Sequence, residues 1–279
     1  MNLLPTSHRS RSFVLLAPQR EYPKQFVDVY GDRKLYAHVL AEIQRFRGKV
    51  YVSEGNLVPG DLSIEGRHVQ AADYNSWHLI TLDESDSVAA CARMSFHDHG
   101  TGFSDLLVSH SALSRSDRWG SLLRQAVEAE IGSARRRQLR FAELGGWAVA
   151  RQLRCTTEAV RLVLAGYALG QLLGGTLGVS TVNVHHHSAS ILRRIGGLPL
   201  LAGGTQLPAF YEPQYRAELE ILLFDSHHPN PRYDRHIQDC RTALAEIMVI
   251  CAEPRRADLR SRPCSSRIPY PTEPIMDAS

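Results

Sequence analysis

The chain has 279 residues, of which 43% are apolar and 22% charged, and its net charge is +3. That length and composition suit one large or two small globular domains, and the charge is too small to argue for a nucleic-acid partner. Its cysteines, Cys91, Cys155, Cys240, Cys251 and Cys264, are odd in number and form no CxxC pair, which points to a reduced, cytoplasmic setting and away from a zinc site.

Residues 1–30 carry Pro5, Pro18 and Pro23 and read as a flexible leader. The apolar run Phe13 to Ala17 within it is too short for the core of an export signal. In residues 33–46, Leu35, Val39, Ile43 and Phe46 fall on one helical face. Residues 48–66 are loop-like, with a turn at Pro59-Gly60-Asp61. Residues 77–82 and 87–96 read as two strands joined by an acidic hairpin turn. A short strand is expected at 104–108, then a helix over 117–137 capped by Asp117.

Residues 139–149 read as a strand that ends in a polar turn, and 157–173 as a helix stopped by Gly174-Gly175. The uncharged stretch 162–184 invites a membrane reading. Its repeated glycines and the alternating β-branched residues from Val179 to Val184 fit a helix, a glycine stop and a strand better, so no transmembrane segment is expected. A strand over 179–185, a short helix over 188–195, strands at 206–211 and 218–224 and a helix over 234–250 complete a single mixed α/β domain, residues 31–251. Residues 252–279, rich in Pro, Arg and Ser, read as a disordered tail.

The informative stretch runs from Glu143-Leu-Gly-Gly-Trp-Ala-Val149 through Arg154-Cys-Thr-Thr157-Glu-Ala159. A strand, a polar turn and a helix in that order present backbone N–H groups and a helix dipole to a phosphate-bearing donor. Thr157 also suits a plain helix cap. His185-His-His187 places two imidazoles on one strand face, but no cysteine or carboxylate stands at helpful spacing, so no metal is expected.

The frame Arg154, Thr157, Ala159, with Val149 ahead of it, resembles the Q/R-x-x-G-x-G/A signature of the GNAT acyltransferase superfamily, with threonine at its middle glycine. The segment from His187 to Gly196-Gly197 resembles that family's next helix, with Gly197 in a phenylalanine's place. Upstream, Arg45-Phe-Arg47-Gly-Lys-Val-Tyr51, the run Asp73 to Ile80, Arg93-Met94 and the run Glu143 to Val149 follow the order of one branch. That branch holds the acyl-homoserine-lactone synthases and the long-chain N-acyl amino acid synthases. The former carry an arginine where this chain has Gly146, which disfavours their substrate and favours an N-acyl amino acid synthase.

The resemblance implies an α/β (α+β) fold with a mixed, mostly antiparallel central sheet, flanking helices and one splayed strand pair. It implies transfer of an acyl chain from acyl carrier protein or CoA to the amine of a small acceptor such as an amino acid. There is then no permanently bound cofactor; acyl-ACP phosphopantetheine or acyl-CoA is the co-substrate. Glu143 would deprotonate the acceptor, while backbone N–H groups near Gly146, Trp147 and Val149 polarise the thioester. The donor would lie on Val149, Arg154, Cys155, Thr156, Thr157, Glu158 and Ala159. Arg47, Asp73, Arg93 and Ser188 are candidates for the acceptor side. An ion pair with an arginine is the structural alternative for Glu143, and salt bridges are the alternative for Arg47, Asp73 and Arg93. Gly166 and Gly170 make room for an acyl chain or for close helix packing. A basic set, Arg135 to Arg137, Arg140, Arg151, Arg154, Arg161, Arg193 and Arg194, would suit an acidic carrier protein. An acyl-CoA-dependent acetyltransferase and a non-catalytic GNAT-like acyl-binding domain are the competing readings.

Overall fold

The computed structural model describes residues 13–154, 156–185 and 188–253. In chain order these form β1 (Phe13–Leu16), β2 (Val29–Gly31), α1 (Arg33–Ser53), β3 (Trp77–Leu82), β4 (Val88–His97), α2 (Gly120–Arg136), β5 (Arg140–Val149), α3 (Glu158–Leu172) and β6 (Thr176–Asn183). There follow α4 (Ser188–Ile195), β7 (Leu198–Pro199), β8 (Leu201–Ala202), β9 (Thr205–Gln206), β10 (Phe210–Glu212), β11 (Ala217–Asp225), α5 (Asp234–Glu246) and β12 (Val249–Cys251). One sheet runs β10-β11-β6-β5-β4-β3-β1-β12-β2, with β7 beside β11. Its pairs are antiparallel except β5/β6, β1/β12 and β12/β2. This is the mixed, mostly antiparallel sheet expected.

Helices cover both faces. α3, α4 and α5 pack with Leu79, Met94, Val182 and Phe224 on one face. On the other, α1 packs over Val14, Ile80 and Cys91, and α2 over Phe141, Val179 and Ile221. Asp32 caps α1, its carboxylate accepting the Lys34 and Leu35 N–H groups at 2.8 and 2.9 Å. No helix among the described residues is long and apolar enough to cross a membrane.

Several expectations change. The supposed leader contains β1, which lies between β3 and β12 with all four residues buried. A short, wholly apolar run buried on both faces of a sheet has no alternation to announce it. β2, at the far edge of the same sheet, also begins in that segment. α1 runs on to Ser53 because Val50 continues its buried face. Residues 103–110 form two 3-10 turns, Phe103–Asp105 and Leu107–His110, instead of a strand. α2 starts at Gly120, and Ser116 rather than Asp117 accepts the Trp119 N–H, at 3.2 Å. The last helix stops at Glu246, and β12 returns to the sheet between β1 and β2. Most of the supposed tail, residues 254–279, lies outside the described residues.

The feature that shapes the site is the parallel pair β5/β6. Pairing runs from Arg140↔Thr176 to Leu144↔Ser180, and the strands then part. They approach so closely before parting that a Cβ on Gly178 would sit 2.4 Å from the Ala142 carbonyl oxygen. Against β4, the register steps from Arg93↔Gly145 to Cys91↔Ala148, so Gly146 and Trp147 face Ala92 in a bulge. Gly146 has φ +61°, a conformation that glycine enters without penalty.

Candidate active site

A cleft of about 470 Å³ opens where β5 and β6 diverge. It has two arms of different chemistry. Leu79, Met94, Leu162, Gly166, Leu192 and Phe224 line the arm beneath α3 and α4. On the α1/α2 side the lining is polar, with Gln70, Arg93, Glu143, Glu212, Tyr51 and Tyr215. Gly145, Gly146 and Trp147 stand at the junction. An apolar chain and a polar group are thus both accommodated, meeting at the strand bulge.

Glu143 is 7% exposed and lines this cleft. Its Oε1 accepts the Val108 N–H and its Oε2 the Leu107 N–H, each at 2.9 Å. His97 Nε2 lies 3.2 Å from Oε2. The side chain therefore anchors the turn at Leu107–His110. A carboxylate has about four acceptor positions, so Oε1 keeps one free. The basic side chain beside Glu143 is His97, not an arginine.

Arg47, Asp73 and Arg93 come together in one salt-bridged cluster. Arg47 and Asp73 are fully buried and Arg93 is 4% exposed. Asp73 Oδ1 accepts Arg47 Nη1 at 2.9 Å and Arg93 Nη1 at 2.8 Å; Oδ2 accepts Arg47 Nη2 at 2.6 Å, Gln44 Nε2 at 3.0 Å and the Gln70 N–H at 3.1 Å. Burial alone would raise the Asp73 pKa. The Arg47 hydrogen bonds and the charges of Arg47 and Arg93 overcome it and hold the carboxyl well below its ordinary range. Two guanidiniums against one carboxylate leave this buried cluster with a net positive charge. Only Arg93 of the three lines the cleft, and its Nε is buried without a hydrogen-bond partner. Arg47 and Asp73 do not reach the cleft; they hold Arg93 in place.

The polar arm also contains residues that local sequence does not single out. Gln70 accepts Arg93 Nη1 at 2.8 Å and donates to the Tyr215 hydroxyl at 2.7 Å. Tyr51, His68 and Tyr215 pack ring against ring, with centroids 5.4 to 6.3 Å apart. Glu212 accepts the Ala112 N–H at 2.8 Å. Tyr51 fell inside a recognised segment, but Gln70, Tyr215 and Glu212 meet it only through long-range folding.

The loop between β5 and α3 differs from the expectation in its capping. After β5 a 3-10 turn, Arg151–Leu153, leads to α3. Thr156, not Thr157, supplies the side-chain cap, accepting the Glu158 N–H at 3.1 Å and donating to the Leu153 carbonyl at 2.6 Å. Glu158 is turned into the protein interior. It is 4% exposed, accepts the Thr81 hydroxyl at 2.8 Å and lies 3.5 Å from Arg161. Arg154 pairs with Glu54 at 2.5 Å. Val149 pairs with Ala90 at the end of β5, Ala159 is half-buried in the first turn of α3, and Ser188 lines the cleft from the start of α4. Cys155, His186 and His187 lie outside the described residues, and His185 is exposed.

The basic residues do not form one patch. Arg135 and Arg136 end α2, next to the start of β5, whereas Arg151 and Arg154 follow its end. A strand of that length separates the groups by about 30 Å. Several are also neutralised locally: Arg137 by Asp225, Arg193 by Glu220 and Arg161 by Glu158.

Neither a family model nor a curated protein matches this sequence. Solved structures do match the fold. The CoA-dependent acyl-homoserine lactone synthase BjaI, with MTA, superposes at TM-score 0.54 and 16% identity, over 88% of this chain and 95% of that one. The same synthase with SAM and isopentyl-CoA gives 0.54 at 15% identity, over 88% and 95%. The chain has the fold of the acyl-homoserine lactone synthases. FeeM, an N-acyl amino acid synthase from uncultured soil microbes, aligns at TM-score 0.40 and 11% identity over 66% of this chain and 83% of that one. In the synthase fold found here, the diverging pair β5/β6 and the Gly146 bulge set the floor of the cleft.

Proposed function

We propose that this chain is an N-acyltransferase that moves an acyl group from a thioester to the amine of a small acceptor bearing a carboxylate. The observation that carries the reading is the two-armed cleft at the β5/β6 divergence, apolar under α3 and polar beside Arg93 and Glu143. The acyl chain lies in the apolar arm, and the acceptor carboxylate meets Arg93. Free Oε1 capacity on Glu143 takes one proton from the acceptor ammonium. The amine then adds to the thioester carbonyl, the C–N bond forms as the C–S bond breaks, and the departing sulfur takes the second nitrogen proton. Holding amine and thioester together at the bulge supplies much of the rate.

Gly146 stands where the homoserine-lactone branch carries arginine, which favours an amino acid over S-adenosylmethionine as acceptor. BjaI is described as CoA-dependent, which supports acyl-CoA as the donor, and the division of the basic residues removes a main argument for the carrier protein. Incubating the protein with acyl-CoA or acyl-ACP, S-adenosylmethionine and the amino acids, followed by mass spectrometry and thiol titration, tests all of this. One amide per thiol released is expected, with acyl-CoA and an amino acid as the productive pair. Thioester binding with no turnover on any acceptor would establish the non-catalytic reading instead. Glu143→Gln is expected to lower turnover by about 10²- to 10⁴-fold, and unchanged turnover would remove Glu143 from the chemistry.

A further inference from the structure

The segment after α1 touches both sides of the strand divergence. Glu54, the C-cap of α1, pairs with Arg154 on the loop that follows β5, at 2.5 Å. Asn56, two residues on, accepts the side-chain amide of Asn183, the last residue of β6, at 3.3 Å. Within the segment the Asn56 amide donates to Glu54 at 3.4 Å, and Gly55 turns the backbone at φ +75°. Glu54, Asn56 and Asn183 all line the cleft. The segment is thus a clasp that spans the open end of the β5/β6 divergence, and its carboxylate occupies the guanidinium of the donor loop.

We propose that Glu54 is a specificity-determining residue for the donor, because its carboxylate competes with a donor phosphate for Arg154. This rests on the acyl-thioester reading above. A phosphate draws on the same guanidinium N–H donors and positive charge as this carboxylate, so the two compete for Arg154. The pair is partly exposed, 19% for Glu54 and 37% for Arg154, so exchange needs no unfolding of the core. The clasp therefore lowers affinity for donors whose phosphates use Arg154 and leaves donors without those phosphates unaffected, which sets the balance between the two classes.

The test is calorimetric binding of CoA and of pantetheine, which lacks the nucleotide phosphates, to the wild type, Glu54→Gln, Arg154→Gln and the double variant. Glu54→Gln is expected to bind CoA about five-fold more tightly, the size of a partly exposed ion pair, with pantetheine binding unchanged. Arg154→Gln is expected to weaken CoA binding, and adding Glu54→Gln to it is expected to have no further effect. A gain in affinity is not what damage to the fold produces. Equal or weaker CoA binding by Glu54→Gln, or a gain that persists without Arg154, overturns the inference. Should Glu54→Gln fail to fold by circular dichroism, Asn183→Ala releases the other end of the clasp, and unchanged CoA affinity there overturns it equally. Failure of the wild type to bind CoA, pantetheine or acyl-ACP defeats the thioester reading itself, a separate result.

Discussion

At Asp73 a single carboxylate accepts hydrogen bonds from two guanidiniums, a glutamine amide and a backbone N–H, all buried. Removing the charge leaves Arg47 and Arg93 facing each other without compensation. Asp73→Asn is expected to lower stability by about 3–5 kcal/mol, as for other broken buried pairs, measured as the shift in urea midpoint. A loss below 1 kcal/mol would mean that Arg93 is held by Gln70 alone. Gly146 tests a different property. A Cβ there would lie 3.1 Å from Arg47 Nη1 and 3.2 Å from Arg93 Cβ, at a backbone φ of +61°. Gly146→Val is therefore expected to displace Arg93 and abolish transfer even in a sample that melts cooperatively. Retention of wild-type turnover would detach the bulge from the site.

At the scale of elements, α3 connects the loop after β5 to the apolar arm. Its N-terminus follows that loop, and its middle roofs the arm. A Cβ on Gly166 would meet Met94 Sδ at 3.9 Å and Leu79 Cδ1 at 4.0 Å, ordinary contact distances, so a small side chain fits but a long one fills the arm. Gly166→Leu is expected to shorten the longest acyl chain transferred. Competition among acyl thioesters of graded length, read by product mass, checks it; an unchanged distribution would place the chain elsewhere. The turn Leu107–His110 is the second element that matters, because its N–H groups hold both oxygens of Glu143.

At the scale of the whole molecule, stability is tied to pH through buried histidines. Burial, with Arg47 adding to it, lowers His68 from 6.5 to about 4. Burial likewise lowers His78 to about 4, against the opposing pull of Asp73. As pH falls below 6.5 the unfolded chain takes up these protons first, so folding stability declines from pH 6.5 towards 4. The slope approaches about 1.4 kcal/mol per pH unit for each histidine. Asp73, held low in the fold, extends the loss below its ordinary value of 3.8. Urea unfolding at pH 7, 6 and 5 should show falling midpoints, and a flat series would mean that both rings charge freely in the folded state.

What the sequence alone determined was the local and periodic part. The order of Arg47, Asp73, Arg93 and Glu143 was legible as a family resemblance, while the β3/β4 hairpin, α4 and the run of β5 into α3 follow from patterns within a few residues of each other. These features depend on alternation, glycine stops and polar turns, which short-range sterics dictate. β1 and β12 escaped because strands of four and three apolar residues carry no periodicity; their pairing across the sheet, β1 with β3 and β12, and β12 with β1 and β2, makes them strands. The role of Glu143 as the anchor of a distant turn, the burial of Glu158, the separation of the basic residues and the Glu54–Arg154 clasp were decided by tertiary structure alone. Each depends on which groups meet across long stretches of chain, and a side chain's chemistry is set by those partners rather than by its neighbours in sequence.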